Sequence, residues 1–243
     1  VERMDIKVKL ADIANLEFDF TYKPYGSSNE MVQARNLTFG YNPETILIKD
    51  LSFKVGPNDK ICIIGKNGNG KSTLLKLITG ELTPLKGEIF VESKVDEGYF
   101  GQMNLDRLHP ENTIVEELET VDSNIDIQRI RRTAAQMLFS GDDAFKKINV
   151  LSGGEKSRVM LGKILLTPSN LLLLDEPTNH FDMESSQSLM DAIKNFKGAV
   201  LMVTHNEYFL HEIANKLIVF DGGKTFVFTG SYADFLKQVG WQE

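Results

Sequence analysis

The apolar run Ile61-Cys62-Ile63-Ile64 leads without a break into Gly65-Lys66-Asn67-Gly68-Asn69-Gly70-Lys71-Ser72, and no other stretch restricts the fold as tightly. Consecutive apolar residues suit a strand covered on both faces, and the segment after it fits the pattern G-x-x-x-x-G-K-[ST] at the opening of a helix. Glycines at 65, 68 and 70 let the backbone bend so that successive N–H groups point into one concavity, and the helix starting near Lys71 adds the positive end of its dipole. Such a bend is a cradle for phosphate. Gly65, Asn67, Gly68, Asn69, Gly70, Lys71, Ser72 and Thr73 are therefore the expected contacts of a nucleotide. Lys71 would reach the β and γ phosphates, and the Ser72 hydroxyl would offer a hard oxygen to Mg²⁺. A glycine-rich turn matched by chance is the competing reading, and the strand and helix around the segment argue against it.

Two further runs, Leu171-Leu172-Leu173-Leu174-Asp175 and Val200-Leu201-Met202-Val203-Thr204, are also apolar on consecutive residues. With helices expected over Lys71 to Thr79, Glu184 to Asn195 and Glu207 to Ala214, they predict an α/β fold: a mainly parallel central sheet with antiparallel additions at its start and end. Further strands are expected at Val32 to Thr38, Leu51 to Val55, Glu88 to Val91, Val95 to Phe100 and Lys216 to Phe220. Helical stretches dominate Thr113 to Leu166, so a helical subdomain is expected at about residues 103–166. The alternating Leu16-Glu17-Phe18-Asp19-Phe20 reads as a short strand after a helix tail. Pro24, Gly26, Ser27 and Ser28 mark a linker, which puts the main domain at 31–243.

Asp175 and Glu176 emerge where an apolar strand reaches the sheet edge, the place at which open α/β sheets bind ligands. Asp175 is placed to hold Mg²⁺, and Glu176 to polarise the water that attacks a γ phosphate. Taken alone, a carboxylate after a strand is more often a helix cap or a surface charge. Cys62 is the single cysteine, so no internal disulfide is possible and a reducing, cytoplasmic setting is expected. A net charge of -7 gives no general attraction to nucleic acid, although Arg129, Arg131, Arg132, Lys146 and Lys147 could make a local basic face; a solvated helix surface is the simpler reading. No apolar run approaches the length of a bilayer crossing. The chain opens on Val1 and is expected to be a piece of a longer one.

Leu151-Ser152-Gly153-Gly154-Glu155, together with the phosphate loop and the acid pair, resembles the ATP-binding cassette (ABC) family over Met31 to about Phe228. Ser152 and Glu155 also have the form of a capping box at a helix start. The resemblance implies an ATPase whose sites are each built from two cassettes, with Ser152, Gly153 and Gly154 of one closing over nucleotide held by the other. It implies that Glu176, His205, Gln102 and Lys71 are catalytic, that Ser72, Gln102 and Asp175 serve the metal, and that Tyr41 stacks on adenine. Tyr41 could equally be a strand-end aromatic in a core, and Gln102 an ordinary loop amide. Asp175-Glu176-Pro177-Thr178-Asn179-His180-Phe181-Asp182 and Thr204-His205-Asn206-Glu207-Tyr208-Phe209-Leu210 look most like the ABC-F branch. Members of that branch are soluble, carry two cassettes in one chain and act mainly on ribosomes. Residues 1–30 then resemble the end of an inter-cassette linker, and the chain the second, C-terminal cassette. The partners implied are a second cassette, in the same full-length chain or a homodimer, and the ribosome or tRNA; a membrane partner belongs to the alternative of a transporter ATPase subunit.

Overall fold

The computed structural model describes residues 18–42, 44–101, 105, 107–179 and 181–240. In chain order the strands are β1 (Val32–Phe39), β2 (Ile48–Val55), β3 (Lys60–Gly65), β4 (Lys86–Val91), β5 (Glu97–Phe100), β6 (Leu171–Asp175), β7 (Ala199–Val203), β8 (Lys216–Asp221) and β9 (Lys224–Thr229). The helices are α1 (Lys71–Ile78), α2 (Ile114–Glu119), α3 (Ile127–Gln136), α4 (Gly153–Leu166), α5 (Met183–Asn195), α6 (Glu207–Ile213) and α7 (Tyr232–Val239). They fall into two compact units, one of described residues 22–42, 44–101, 168–177 and 196–240, the other of 18–21, 105, 107–167, 178–179 and 181–195.

The first unit holds both sheets. A six-stranded sheet runs β5-β6-β7-β3-β8-β9, parallel from β5 to β8 and antiparallel at β9, and a three-stranded antiparallel sheet runs β2-β1-β4. Every residue of β6 and β7 is buried, as is β3 after Lys60, which is why these strands read as unbroken apolar runs. The strand order places the ends of β3, β6 and β7 side by side: Ile63 pairs with Val203, and Val203 with Asp175. Whatever follows those three residues shares one edge of the sheet.

The second unit is helical. Capping boxes start α2, from Thr113 and Glu116, and α4, from Ser152 and Glu155. Between them lies a polar knot. The Glu117 side chain, fully buried on α2, accepts from Lys163 of α4 at one oxygen and from His109 Nδ1 (2.9 Å), His109 N (3.2 Å) and Asn112 Nδ2 (3.0 Å) at the other. His109 is thus a structural histidine, a partner of a fully buried acid.

Three details differ from the sequence-based expectation. Phe18 to Phe20 form no strand; Phe18 and Phe20 are buried, and Phe18 meets Phe181 edge-on at 6.0 Å, so side-chain packing and not a ladder explains their alternation. Tyr25, inside the segment expected to be a linker, is buried and its hydroxyl lies 3.3 Å from Glu30 O. At the other end β9 supplies the expected antiparallel addition, at Lys224–Thr229, and α7 is an additional element. The basic face is broken up: Lys146 pairs with Asp143 at 2.8 Å, Lys147 with Glu111 at 2.9 Å, and Arg129 donates to Thr21 Oγ1 at 2.7 Å.

Candidate nucleotide site

The loop between β3 and α1 is held in a shape only glycine permits at its two ends. Gly65 has φ +142°, and a Cβ there would lie 2.4 Å from Phe220 O on the neighbouring β8. Gly70, at φ +102°, caps α1 and accepts the first helical hydrogen bond from Leu74 N at 3.0 Å. With the ends pinned, the loop curls around Lys71, which is buried although charged. Its Nζ donates to Gly65 O (2.5 Å), Lys66 O (3.2 Å) and Asn67 Oδ1 (3.2 Å). An ammonium ringed by loop oxygens is positioned to trade those neutral acceptors for phosphate oxygens.

Asp175 closes β6 and Glu176 follows it. Burial raises the Asp175 carboxyl above the usual carboxylate range, against the lowering effect of a hydrogen bond with the Ser72 side chain and of the Lys76 and Lys71 charges. Burial also raises Glu176, opposed by His205 and assisted by the negative charge of Asp175. Glu176 adopts φ +50°, the left-handed region that side chains with a Cβ avoid at a cost of about 1–2 kcal/mol, while its N–H donates to Val203 O at 2.9 Å. His205 follows β7. Its Nε2 lies 2.8 Å from Asn67 Oδ1, a carbonyl-type oxygen that can only accept, so Nε2 carries the proton. The same nitrogen is 3.5 Å from Glu176 Oε1, near enough for an ion pair, yet Oε1 is buried with no hydrogen bond. The distance marks proximity, not a bond, since one N–H already serves Asn67.

Tyr41 is 64% exposed and so is no core aromatic. It stands edge-on to Phe39 with ring centres 5.3 Å apart, its hydroxyl 3.4 Å from Thr73 Oγ1, leaving a ring face beside the loop for a planar base. The sequence reasoning missed two features here: the Asn67–His205 hydrogen bond, and Lys76, one turn along α1, whose charge acts on Asp175. Gln102 and His180 lie outside the described residues. Ser152, Gly153 and Gly154 belong to the helical unit, with Ser152 and Gly153 exposed. The expected capping box is present: Glu155 N donates to Ser152 Oγ (3.3 Å) and Ser152 N to Glu155 Oε2 (2.8 Å).

The donor set suits magnesium. A hydroxyl and a buried carboxylate in hydrogen-bond contact are hard oxygen ligands, and a carboxylate carrying a desolvation penalty is relieved by a divalent cation. Among the described residues there is no cluster of three or more acids, histidines or cysteines suited to a metal.

Comparison with known proteins gives a consistent answer. The family model of ABC transporters matches residues 48–179. YdiF of Bacillus subtilis, named as an ATP-binding protein, is 36% identical over 235 residues, covering 96% of this chain and 36% of the relative. ABC transporter F family member 2 of Arabidopsis thaliana is 36% identical over 213 residues, covering 87% of this chain and 31% of the relative. The chain thus spans about a third of the length of the curated relatives it matches. Among solved structures, an ATP-binding cassette in a dimeric post-hydrolysis state with ADP and phosphate superposes with a TM-score of 0.67 at 22% identity, covering 80% of this chain and 96% of that one.

Proposed function

Because this chain belongs to the ABC family, we propose that it binds Mg-ATP at the Gly65–Thr73 loop and hydrolyses it as one half of a two-cassette sandwich. The observation that carries this reading is the convergence on one loop of Lys71, the Ser72–Asp175 pair, Glu176 with an unpartnered buried oxygen, and a protonated His205 Nε2. Ser72 and Asp175, with Gln102 beyond the described residues, would hold Mg²⁺, which when bound supplies positive charge to the β and γ phosphates. Lys71 adds a second cation there, and the loop N–H groups fix the chain of phosphates. Glu176 Oε1 is free to accept a proton from a water lined up behind the γ phosphorus, and its raised affinity for protons makes it a stronger base than an exposed carboxylate. His205 would exchange Asn67 for a γ-phosphate oxygen. Tyr41 stacks on the base, and Ser152, Gly153 and Gly154 serve nucleotide held by the partner cassette.

The same reading makes the protein a cytoplasmic ABC-F ATPase in which ATP closes two cassettes and hydrolysis reopens them, in contact with the ribosome or tRNA. It rests on the ABC transporter F relative and on the two sequence stretches quoted above. Among the described residues no helix is long and apolar enough to cross a membrane. The deciding experiment uses the full-length protein carrying Glu176→Gln. It is expected to bind ATP normally, fail to release it, and accumulate on ribosomes in sedimentation. Hydrolysis at the wild-type rate would remove Glu176 from the mechanism, and sedimentation with membranes alone would remove the translation role.

A further inference from the structure

We propose that Asn67 is a self-modification site, at which the phosphate loop converts its own asparagine to aspartate and isoaspartate. The sequence places two Asn-Gly pairs in the loop, Asn67-Gly68 and Asn69-Gly70. A glycine after asparagine leaves the next backbone nitrogen unshielded by a Cβ, so both pairs carry the intrinsic chemistry. The structure separates them.

Asn67 Oδ1 accepts from His205 Nε2 at 2.8 Å and from Lys71 Nζ at 3.2 Å. Two donors, one of them cationic, draw electrons from Asn67 Cγ and stabilise negative charge arriving on that oxygen, the electrostatics of an oxyanion hole. Gly68 also has room to move: its φ is +83°, and a Cβ built there meets nothing within 4 Å. Neither condition holds for the second pair. No hydrogen bond engages the Asn69 side chain among the described residues, and Gly70 is fixed as the cap of α1, where a Cβ would lie 3.2 Å from Leu47 Cβ.

The chemistry balances with water as the only co-reactant. Gly68 N gives its proton to solvent and attacks Asn67 Cγ; the new N–C bond forms as the carbonyl pair moves onto Oδ1, beneath Lys71 and His205. The carbonyl re-forms and Nδ2, taking a proton from solvent, leaves as ammonia, which gives a five-membered imide. Water then adds to either imide carbonyl and breaks one N–C bond. The products are aspartate or isoaspartate at position 67. Either puts a carboxylate into the cradle beside Lys71, where it competes with phosphate for the ammonium and repels a triphosphate. Bound nucleotide should protect, because phosphate oxygens withdraw Lys71 and His205 from the amide.

The test holds the nucleotide-free protein in mildly alkaline buffer, with a parallel sample unfolded in urea, and follows both by peptide mass spectrometry and isoaspartyl methyltransferase labelling. In the folded protein Asn67 is expected to convert on the order of tenfold faster than Asn69, while in urea the two react alike. His205→Ala should slow Asn67 in the folded protein and leave the urea rate unchanged. Equal rates, a reversed order, no conversion of Asn67 within the time that Asn69 reacts, or insensitivity to His205→Ala would each overturn the proposal. None of these readouts depends on ATP hydrolysis, so the proposal fails or stands apart from the proposed activity.

Discussion

Replacing Lys163 by methionine tests what holds the helix that begins at Ser152. In the wild type one Glu117 oxygen is served by Lys163, and the other by His109 Nδ1, His109 N and Asn112 Nδ2 at 2.9, 3.2 and 3.0 Å. The Glu117 side chain is 0% exposed and that of Lys163 only 18%, so water cannot replace the lost donor without local opening. Stranding a fully buried partner costs about 3–5 kcal/mol, but three donors remain on the second oxygen, so the loss is set nearer to one charge-assisted hydrogen bond, about 2–3 kcal/mol. The sign with pH follows from Glu117. Burial pushes its carboxyl up, but the hydrogen bonds from Lys163 and His109 outweigh that and hold it below the ordinary value. A depressed folded pKa gives stability that is present above the unfolded value and lost as pH falls through the folded one. Without Lys163 the burial effect is less opposed, the carboxyl takes up a proton more readily, and the penalty shrinks on acidification. A chain of two compact units need not unfold in one step, so the assay is hydrogen exchange resolved to the amides of α2 and α4. At neutral pH those amides should exchange about 30- to 150-fold faster in Lys163→Met, with a smaller factor in mild acid after correction for intrinsic rates. A change under about 0.5 kcal/mol, or one that does not vary with pH, would refute the reasoning.

Lys71→Ala should lower Mg-ATP affinity at least about tenfold, since it removes a charge-assisted contact of about 1.5–3 kcal/mol, and calorimetric titration of a variant with an unaltered circular dichroism spectrum checks it. Gly65→Ala should cost about 2–5 kcal/mol, the sum of a Cβ forced to 2.4 Å from Phe220 O and a positive φ, and lower the thermal midpoint in scanning calorimetry. Glu176→Gln should be more stable than wild type at neutral pH by the same method. Burial raises the Glu176 carboxyl, so its ionised form is a burden that appears as pH rises through the folded pKa; the gain should vanish in acid, and an equal gain at low pH would contradict it.

Much of the fold was legible because its signals are local. A strand covered on both faces shows as an unbroken apolar run whatever lies beyond it, and β3, β6 and β7 were found that way. The phosphate loop and the box at Ser152 were equally readable, since fixed spacing carries their chemistry. The hairpin β8–β9 carries a readable signal in Asp221-Gly222-Gly223-Lys224, a two-residue turn with both glycines at positive φ. Phe18-Asp19-Phe20 misled because alternation records which side chains are buried, not that a neighbouring strand supplies the ladder. Glu117 was invisible for a different reason: its partners are 5, 8 and 46 residues away, and no pattern in α2 distinguishes a buried acid from an exposed one.

Three costs meet at Glu176, and none of them serves the fold. Its backbone sits at φ +50°, its carboxyl is desolvated beside Asp175, and Oε1 is buried without a hydrogen bond. Folding alone would favour glycine at such a φ and an apolar or amide side chain in such a place. Neighbouring positions follow local rules: Asn206 caps α6 with two hydrogen bonds, and Asp182 accepts from Ser185 N at 2.8 Å. Strain and an unmet acceptor together on one residue, at the edge where β3, β6 and β7 end, fit the proposed role of holding a water molecule. That makes the order of effects in Glu176→Gln informative. The variant should gain stability and lose hydrolysis at once, whereas a residue that merely shapes the loop would lose both.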